Sequence, residues 1–313
     1  MIKPTNILSY ENNNVKNWLN LQKKIIDLAE KSPDMALQQA MHEISYYYFN
    51  NFSSVSNNLQ NKNGTYCLSV SGNKNFSVTQ INDKFYLNGI KNNITGGSIS
   101  DYLILPINNQ IDEENIWGAF IQLNKTSKQR ITKETWEGFG FTEQNAISIE
   151  FDNFEINQDN LLYYDQSKNW FLDDLQALLL AQVGFRIFEK LITLSKNILT
   201  ENLNNKVDKN SIEYLGQIYS IVTINNLALS NIFNDLENNI KVDTMLFLSI
   251  FSSLKEIIDM YSNIFLKIGG TKIIKSNSEI GYYYKCLLSL SIIGIPKNSS
   301  YYYLGGNLIT QNI

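Results

Sequence analysis

Apolar positions recur with helical spacing through the first fifty residues: Val15, Trp18, Leu19, Leu21, Ile25, Ile26 and Leu28, then Met35, Leu37, Met41 and Ile44. Ser32-Pro33-Asp34 interrupts the pattern. A serine there can cap a new helix, and a proline fits a first helical position because its missing N–H has no partner to lose. Two helices are therefore predicted, followed by a polar linker over 51–63. From Gly64 the period changes to two, which is the spacing of a half-buried strand. The runs 65–71, 75–80, 84–89, 101–106, 116–122 and 146–156 read as strands, the last with a slip near Asp152-Asn153. Gly72, Asn88-Gly89 and Gly96-Gly97 read as tight turns between antiparallel strands. Beyond Leu172 the helical period returns over 171–199, 208–238, 242–268 and 277–293, with Gly269-Gly270 as a stop signal.

The predicted fold class is α+β. A short N-terminal helical part spans 1–63, a central antiparallel β-barrel or sandwich 64–165, and a C-terminal four-helix bundle 166–313. A net charge of −4 with no Lys/Arg-rich run argues against a nucleic-acid partner. His42 is the only histidine, which excludes a His-rich metal site and works against a Ser-His-Asp triad, so no metal is expected. Cys67 and Cys286 lie far apart and suggest a reducing setting without a disulfide framework. The longest apolar runs, Ala177–Val183 and Leu287–Ile295, are too short to span a bilayer. The opening MIKPTNILSYENNN shows no apolar signal core, and a cytoplasmic location is expected.

Several motifs occur in a telling order. Cys67-Leu68-Ser69 opens one strand; Asn88-Gly89-Ile90-Lys91-Asn92-Asn93-Ile94-Thr95 and Ser100-Asp101 follow. Lys31–His42 reads KSPDMALQQAMH, and Trp136–Leu161 reads WEGFGFTEQNAISIEFDNFEINQDNL. Gly184 sits in the first long C-terminal helix, and Gly269-Gly270 follows the third. Over roughly residues 30–300 this order resembles the acyl-CoA dehydrogenase family, with its flavin-facing strand, "NGxKxWIT", "GxRxTxSxxVxFDN" and "GGxGY" segments. The resemblance implies FAD held between the β-domain and the bundle, an acyl thioester of CoA or a carrier protein as substrate, and a homodimer or tetramer through the bundle. It places Leu68, Ser69, Ser71, Asn93, Thr95, Gly269 and Gly270 at the flavin. Ser69 would offer its hydroxyl and N–H to the pyrimidine edge.

The departures from the family carry information too. Where one subtype keeps its catalytic Glu in "RDxxxxxIYEGT", this chain has Tyr284-Lys285 and Ile293-Gly294-Ile295. An isoleucine cannot remove a proton. A second subtype carries its Glu at the start of the first long C-terminal helix, and counting back from Gly184 puts Asp174 there. Asp174 thus reads either as the α-proton base or as an acidic first-turn residue complementing the helix dipole. Asn93 replaces the family's flavin-packing tryptophan, Phe141 replaces one arginine, and Thr200–Glu201 stand where another reaches the FAD diphosphate. Ser69-Val70-Ser71-Gly72 has lost the Glu-Pro of the flavin strand.

Three functions remain open on the sequence. The first is an FAD-dependent oxidoreductase with Asp174 as base and, given the shortened N-terminal part, a more open acyl slot. The second is a non-catalytic subunit in a heteromer with a complete dehydrogenase. The third re-uses the fold without flavin for a non-redox reaction or ligand binding. Tyr46–Tyr48 reads as pocket lining or as an interface cluster, while His42, Cys67 and Cys286 read as structural.

Overall fold

The computed structural model describes residues 17–52, 64–69, 76–82, 84–107, 116–123, 129–133, 140–163, 172–201, 209–243, 245–275 and 278–293. The two predicted N-terminal helices are α1 (Trp18–Lys31) and α2 (Pro33–Phe52). Ser32 caps α2 as expected, its Oγ accepting the Met35 N–H at 3.3 Å. α1 is amphipathic, burying Trp18, Leu21, Ile25 and Ala29 along one stripe. α2 lacks such a stripe because it is packed on several sides, touching α1, α3 and the nearer β-sheet.

Eight strands form two four-stranded sheets. One has the order β1-β4-β5-β8, from Tyr66–Leu68, Tyr102–Pro106, Ile116–Gln122 and Leu161–Tyr163. The other has the order β2-β3-β7-β6, from Ser77–Ile81, Lys84–Ile94, Ile147–Ile156 and Gln129–Lys133. All pairings are antiparallel except β1 with β4, which is parallel. The sheets share a core that includes Cys67, Leu103, Ala119 and Ile121 from the first and Phe85, Leu87, Ile149 and Phe151 from the second. The opposite face of the first sheet, carrying Tyr66, Leu68, Tyr102, Ile104 and Phe120, packs into the helical core. That sheet is therefore covered on both faces, which is why YLILP and IWGAFI are nearly continuous apolar runs.

Asn88-Gly89 is not the turn its composition suggested. It lies inside β3, where the register slips between Leu87 and Gly89. Gly89 has φ +100°, a value that a side chain would resist. Asn88 Oδ1 accepts the Asn153 N–H at 2.9 Å, and Asn153 itself has φ +44°. The turn signal at 88–89 and the slip near 152–153 are thus two halves of one β-bulge. β6 and β8 were missed because each is short and leans on a neighbouring strand rather than on its own pattern.

The bundle comprises α3 (Leu172–Glu201), α4 (Lys209–Glu237), α5 (Met245–Gly269) and α7 (Glu279–Leu290), with a single-turn α6 (Thr271–Ile274) between the last two. α3 and α5 approach closely at Gly184, where an added Cβ would overlap the Leu254 side chain. α1 and α2 do not form a core of their own; their buried residues join those of the bundle in one cluster.

Candidate functional site

The region of interest is where α2 crosses the end of β1 and meets the first turn of α3. Its floor is aromatic. Tyr66 on β1 packs against Tyr46 and Phe49 of α2 and Tyr102 of β4, with ring centroids 5.3 to 5.5 Å apart. His42 lies in the same cluster, stacked on Tyr46. Its Nδ1 accepts the Tyr66 N–H at 3.0 Å, so its own proton sits on Nε2. Burial, aided by the nearby Lys24 charge, pushes the His42 pKa down from 6.5 to about 4. One turn of α2 is thereby bonded directly to the strand that leads to Ser69.

Ser69 sits at the end of that strand, 3% exposed. Its N–H does not point at a free edge; it donates to the Ile104 carbonyl at 3.1 Å and continues the β1–β4 ladder. Its hydroxyl is buried and has no hydrogen-bond partner among the described residues. Such an atom loses its water bonds without replacement, which costs about 1–3 kcal/mol unless a ligand or water completes it. Leu68 is buried among the helices, and Ser71 falls outside the described residues.

Above the aromatic floor is a small cavity of about 10 Å³. Trp18 and Leu21 of α1, Tyr46 and Tyr47 of α2, and Leu175 and Leu179 of α3 enclose it, and Glu43 brings a carboxylate to its wall. Its volume is that of about one water. Its walls are the aromatic and aliphatic side chains of α1, α2 and α3. Glu43 is 4% exposed, and its Oε1 accepts the Gln39 Nε2–H at 2.6 Å. Lys24 on α1 feels the Glu43 charge, but burial is the larger effect and lowers the lysine pKa. Asp174 is half-buried in the first turn of α3, one residue before the cavity-lining Leu175.

Glu43 was not singled out in the sequence. The available signal was its place among inward-facing neighbours. Gln39, His42, Tyr46 and Tyr47 lie three to four residues or one residue away, so a carboxylate at 43 falls on a buried face.

Asn93 and Thr95 end β3 at a different place, a polar joint. Asn93 is exposed with φ +56°. The Thr95 hydroxyl donates to Gln144 Oε1 at 3.1 Å, and the Gly96 N–H donates to the Gln144 carbonyl at 2.8 Å. Gln38 on α2 donates to the Glu143 carbonyl at 2.8 Å and accepts from Asn145 at 3.0 Å. Asp34 accepts the Glu143 N–H at 2.8 Å through one oxygen and the Tyr282 hydroxyl of α7 through the other. Burial raises the Asp34 pKa, and these two bonds pull it back. Phe141, where the family has an arginine, is fully buried with φ +54°, and its N–H meets the Cys286 sulfur. The segment 140–146 thus locks β3, α2 and α7 together. Burial drives the Cys67 and Cys286 thiols up to about 12, which leaves both unreactive.

Gly269 and Gly270 end α5. Gly269 lets Ile273 pack against the helix end, and the Gly270 N–H closes the last turn on the Leu266 carbonyl at 2.9 Å. Gly270 has φ +51° and open space on its side-chain side. Among the described residues no group of three His, Cys, Asp or Glu stands where it would hold a metal ion, and no helix is long and apolar enough to cross a membrane.

The donors present suit the edge of a flavin ring at one point, the unpartnered Ser69 hydroxyl. Neither a family model nor a curated protein matches this sequence. Solved structures do match in shape. Glutaryl-coenzyme A dehydrogenase, in complex with glutaryl-CoA, superposes with a TM-score of 0.78 at 12% identity, over 96% of this chain and 82% of that one. Butyryl-CoA dehydrogenase from Megasphaera elsdenii gives 0.77 at 12% identity, over 93% and 82%. FMN-bound dibenzothiophene monooxygenase from Paenibacillus sp. A11-2 gives 0.76 at 11% identity, over 94% and 84%. The chain has the fold of the acyl-CoA dehydrogenases and their flavin-dependent monooxygenase relatives.

Proposed function

We propose that this protein is a flavin-dependent oxidoreductase acting on an acyl thioester, carried either by CoA or by a carrier protein. The observation that carries the reading is the buried, unpartnered Ser69 hydroxyl at the end of β1, in a fold shared with flavoproteins. Ser69 would donate to the pyrimidine edge of the ring, FAD by the family resemblance, while Tyr66 and Leu68 hold the strand against the helices. Gly270, open on its side-chain side, would admit the diphosphate. Asp174 at the head of α3, or another carboxylate at the slot, would take the α-proton. A bound flavin supplies the acceptor for the β-hydride. Catalysis would proceed in a homodimer or tetramer built through the bundle, in the cytoplasm.

The test is the visible spectrum of the purified protein before and after excess FAD or FMN and desalting. Retained flavin bands support the reading. Ser69→Ala should then weaken flavin binding about 3- to 10-fold, the equivalent of one lost hydrogen bond. A protein that stays colourless under both flavins overturns it.

A second reading, a non-catalytic subunit of a heteromeric dehydrogenase, draws on a specific pair of observations. The cavity between α1, α2 and α3 measures only about 10 Å³, and the Thr95 hydroxyl is committed to Gln144. Co-purification of a complete dehydrogenase with a colourless form of this protein would favour it.

A further inference from the structure

Glu43 is the least expected side chain at the slot. A carboxylate that is 4% exposed, in a wall shared with Trp18, Tyr46, Tyr47 and three leucines, forfeits most of its hydration. Gln39 donates to the carboxylate and the Lys24 charge on α1 lies near it, so polar neighbours hold it in this apolar wall. The Gln39 bond at 2.6 Å fixes the rotamer of the carboxylate. The cavity it faces abuts the first turn of α3, the place where the resemblance sets a catalytic base. The preceding residue, His42, holds the backbone of the strand that ends at Ser69. The helical turn that carries Glu43 is therefore tied through His42 to Tyr66, three residues before the candidate flavin-edge donor Ser69.

We propose that Glu43 is the carboxylate that removes the α-proton of the acyl thioester, a role that rests on the acyl-thioester reading above. In the step, the Cα–H bond breaks and the proton passes to a Glu43 oxygen. The electron pair left on carbon delocalises into the thioester carbonyl. Reversal of the step with a solvent deuteron replaces the α-hydrogen and needs no oxidant. The cavity holds about one water, so an entering acyl group displaces the Trp18 or Tyr47 ring, and the site takes short acyl groups.

The experiment uses the full chain without flavin. Butyryl-CoA binding is measured by calorimetry, and α-deuterium incorporation in D2O by mass spectrometry. Wild type is expected to exchange the α-hydrogen, and Glu43→Gln to exchange it 100- to 10,000-fold more slowly with binding retained. Glu43→Asp, which keeps the charge but withdraws it by one methylene, should fall between them; it also serves if the Gln variant does not fold. Wild-type exchange by Glu43→Gln or by Glu43→Asp overturns the assignment, as does binding of butyryl-CoA by wild type without exchange. A wild type that binds neither butyryl-CoA nor a butyryl-loaded acyl carrier protein refutes the acyl-thioester reading itself, and the Glu43 role with it.

Discussion

The chain's single histidine provides a clean test of the α2–β1 joint. His42 is neutral in the folded protein, with a pKa of about 4 against 6.5 when unfolded. Below pH 6.5 the unfolded chain takes up a proton that the folded one refuses until about pH 4. Stability contributed by His42 is therefore present above pH 6.5 and is lost as pH falls toward 4. At one pKa unit per 1.36 kcal/mol, the loss between pH 7 and pH 5 is about 2 kcal/mol, and the full window is worth about 3 kcal/mol. No other histidine contributes in that range. Asp34 acts in the opposite direction: its raised pKa makes the folded state bind protons more readily, so its contribution improves on acidification. Urea unfolding at pH 7 and pH 5 measures the difference. His42→Phe removes the acceptor for the Tyr66 N–H and should cost about 1–3 kcal/mol at pH 7. It should also abolish the 2 kcal/mol loss at pH 5, so that the two proteins converge. The imidazole signal of wild type, one resonance in a proton–carbon spectrum, reports the pKa directly. Equal pH-dependence in wild type and variant, or an imidazole titrating near 6.5, would refute the reasoning.

Other expectations follow from the same contacts. Tyr282→Phe removes one of the two donors on buried Asp34 and should cost about 1–3 kcal/mol. Because the stranded carboxylate can be neutralised by protonation, that cost should shrink as pH drops from 7 toward 4 in urea titrations. Gly184→Val forces a branched side chain onto Leu254 at the α3–α5 crossing and should lower Tm by several degrees, at about 1–3 kcal/mol for overpacking; an unchanged Tm would mean the helices separate freely there.

Much of the architecture was legible because its periods were strong. The helices predicted over 171–199, 208–238 and 242–268 are α3, α4 and α5 within a few residues. Six of the eight strands carried enough apolar alternation, or enough continuous apolar character, to be found. β6 and β8 did not, since Gln129–Lys133 and Leu161–Tyr163 owe their conformation to partners distant in sequence. Asn88-Gly89 shows the limit of local reasoning: the same dipeptide serves a hairpin turn or a bulge, and only the opposing Asn153 decides which. At the site, Ser69 and Asp174 were named by motif order. The occupied Ser69 N–H, the commitment of Thr95 to Gln144 and the inward placement of Glu43 depend on residues far along the chain: Ile104, Gln144, and Trp18, Leu21, Leu175 and Leu179.

By itself the sequence determined the order of helical, β and helical segments, the capping serine at 32 and the Gly269-Gly270 stop. Each of these is written in neighbours within a few residues, where propensity, capping and period act. Tertiary structure alone decided that α2 lies buried between a sheet and the bundle. With that, a lone histidine became a neutral backbone acceptor, a serine hydroxyl was stripped of partners, and Glu43 came to face an aromatic slot. Burial and the company of distant side chains set these properties, and neither is encoded in any short stretch of chain.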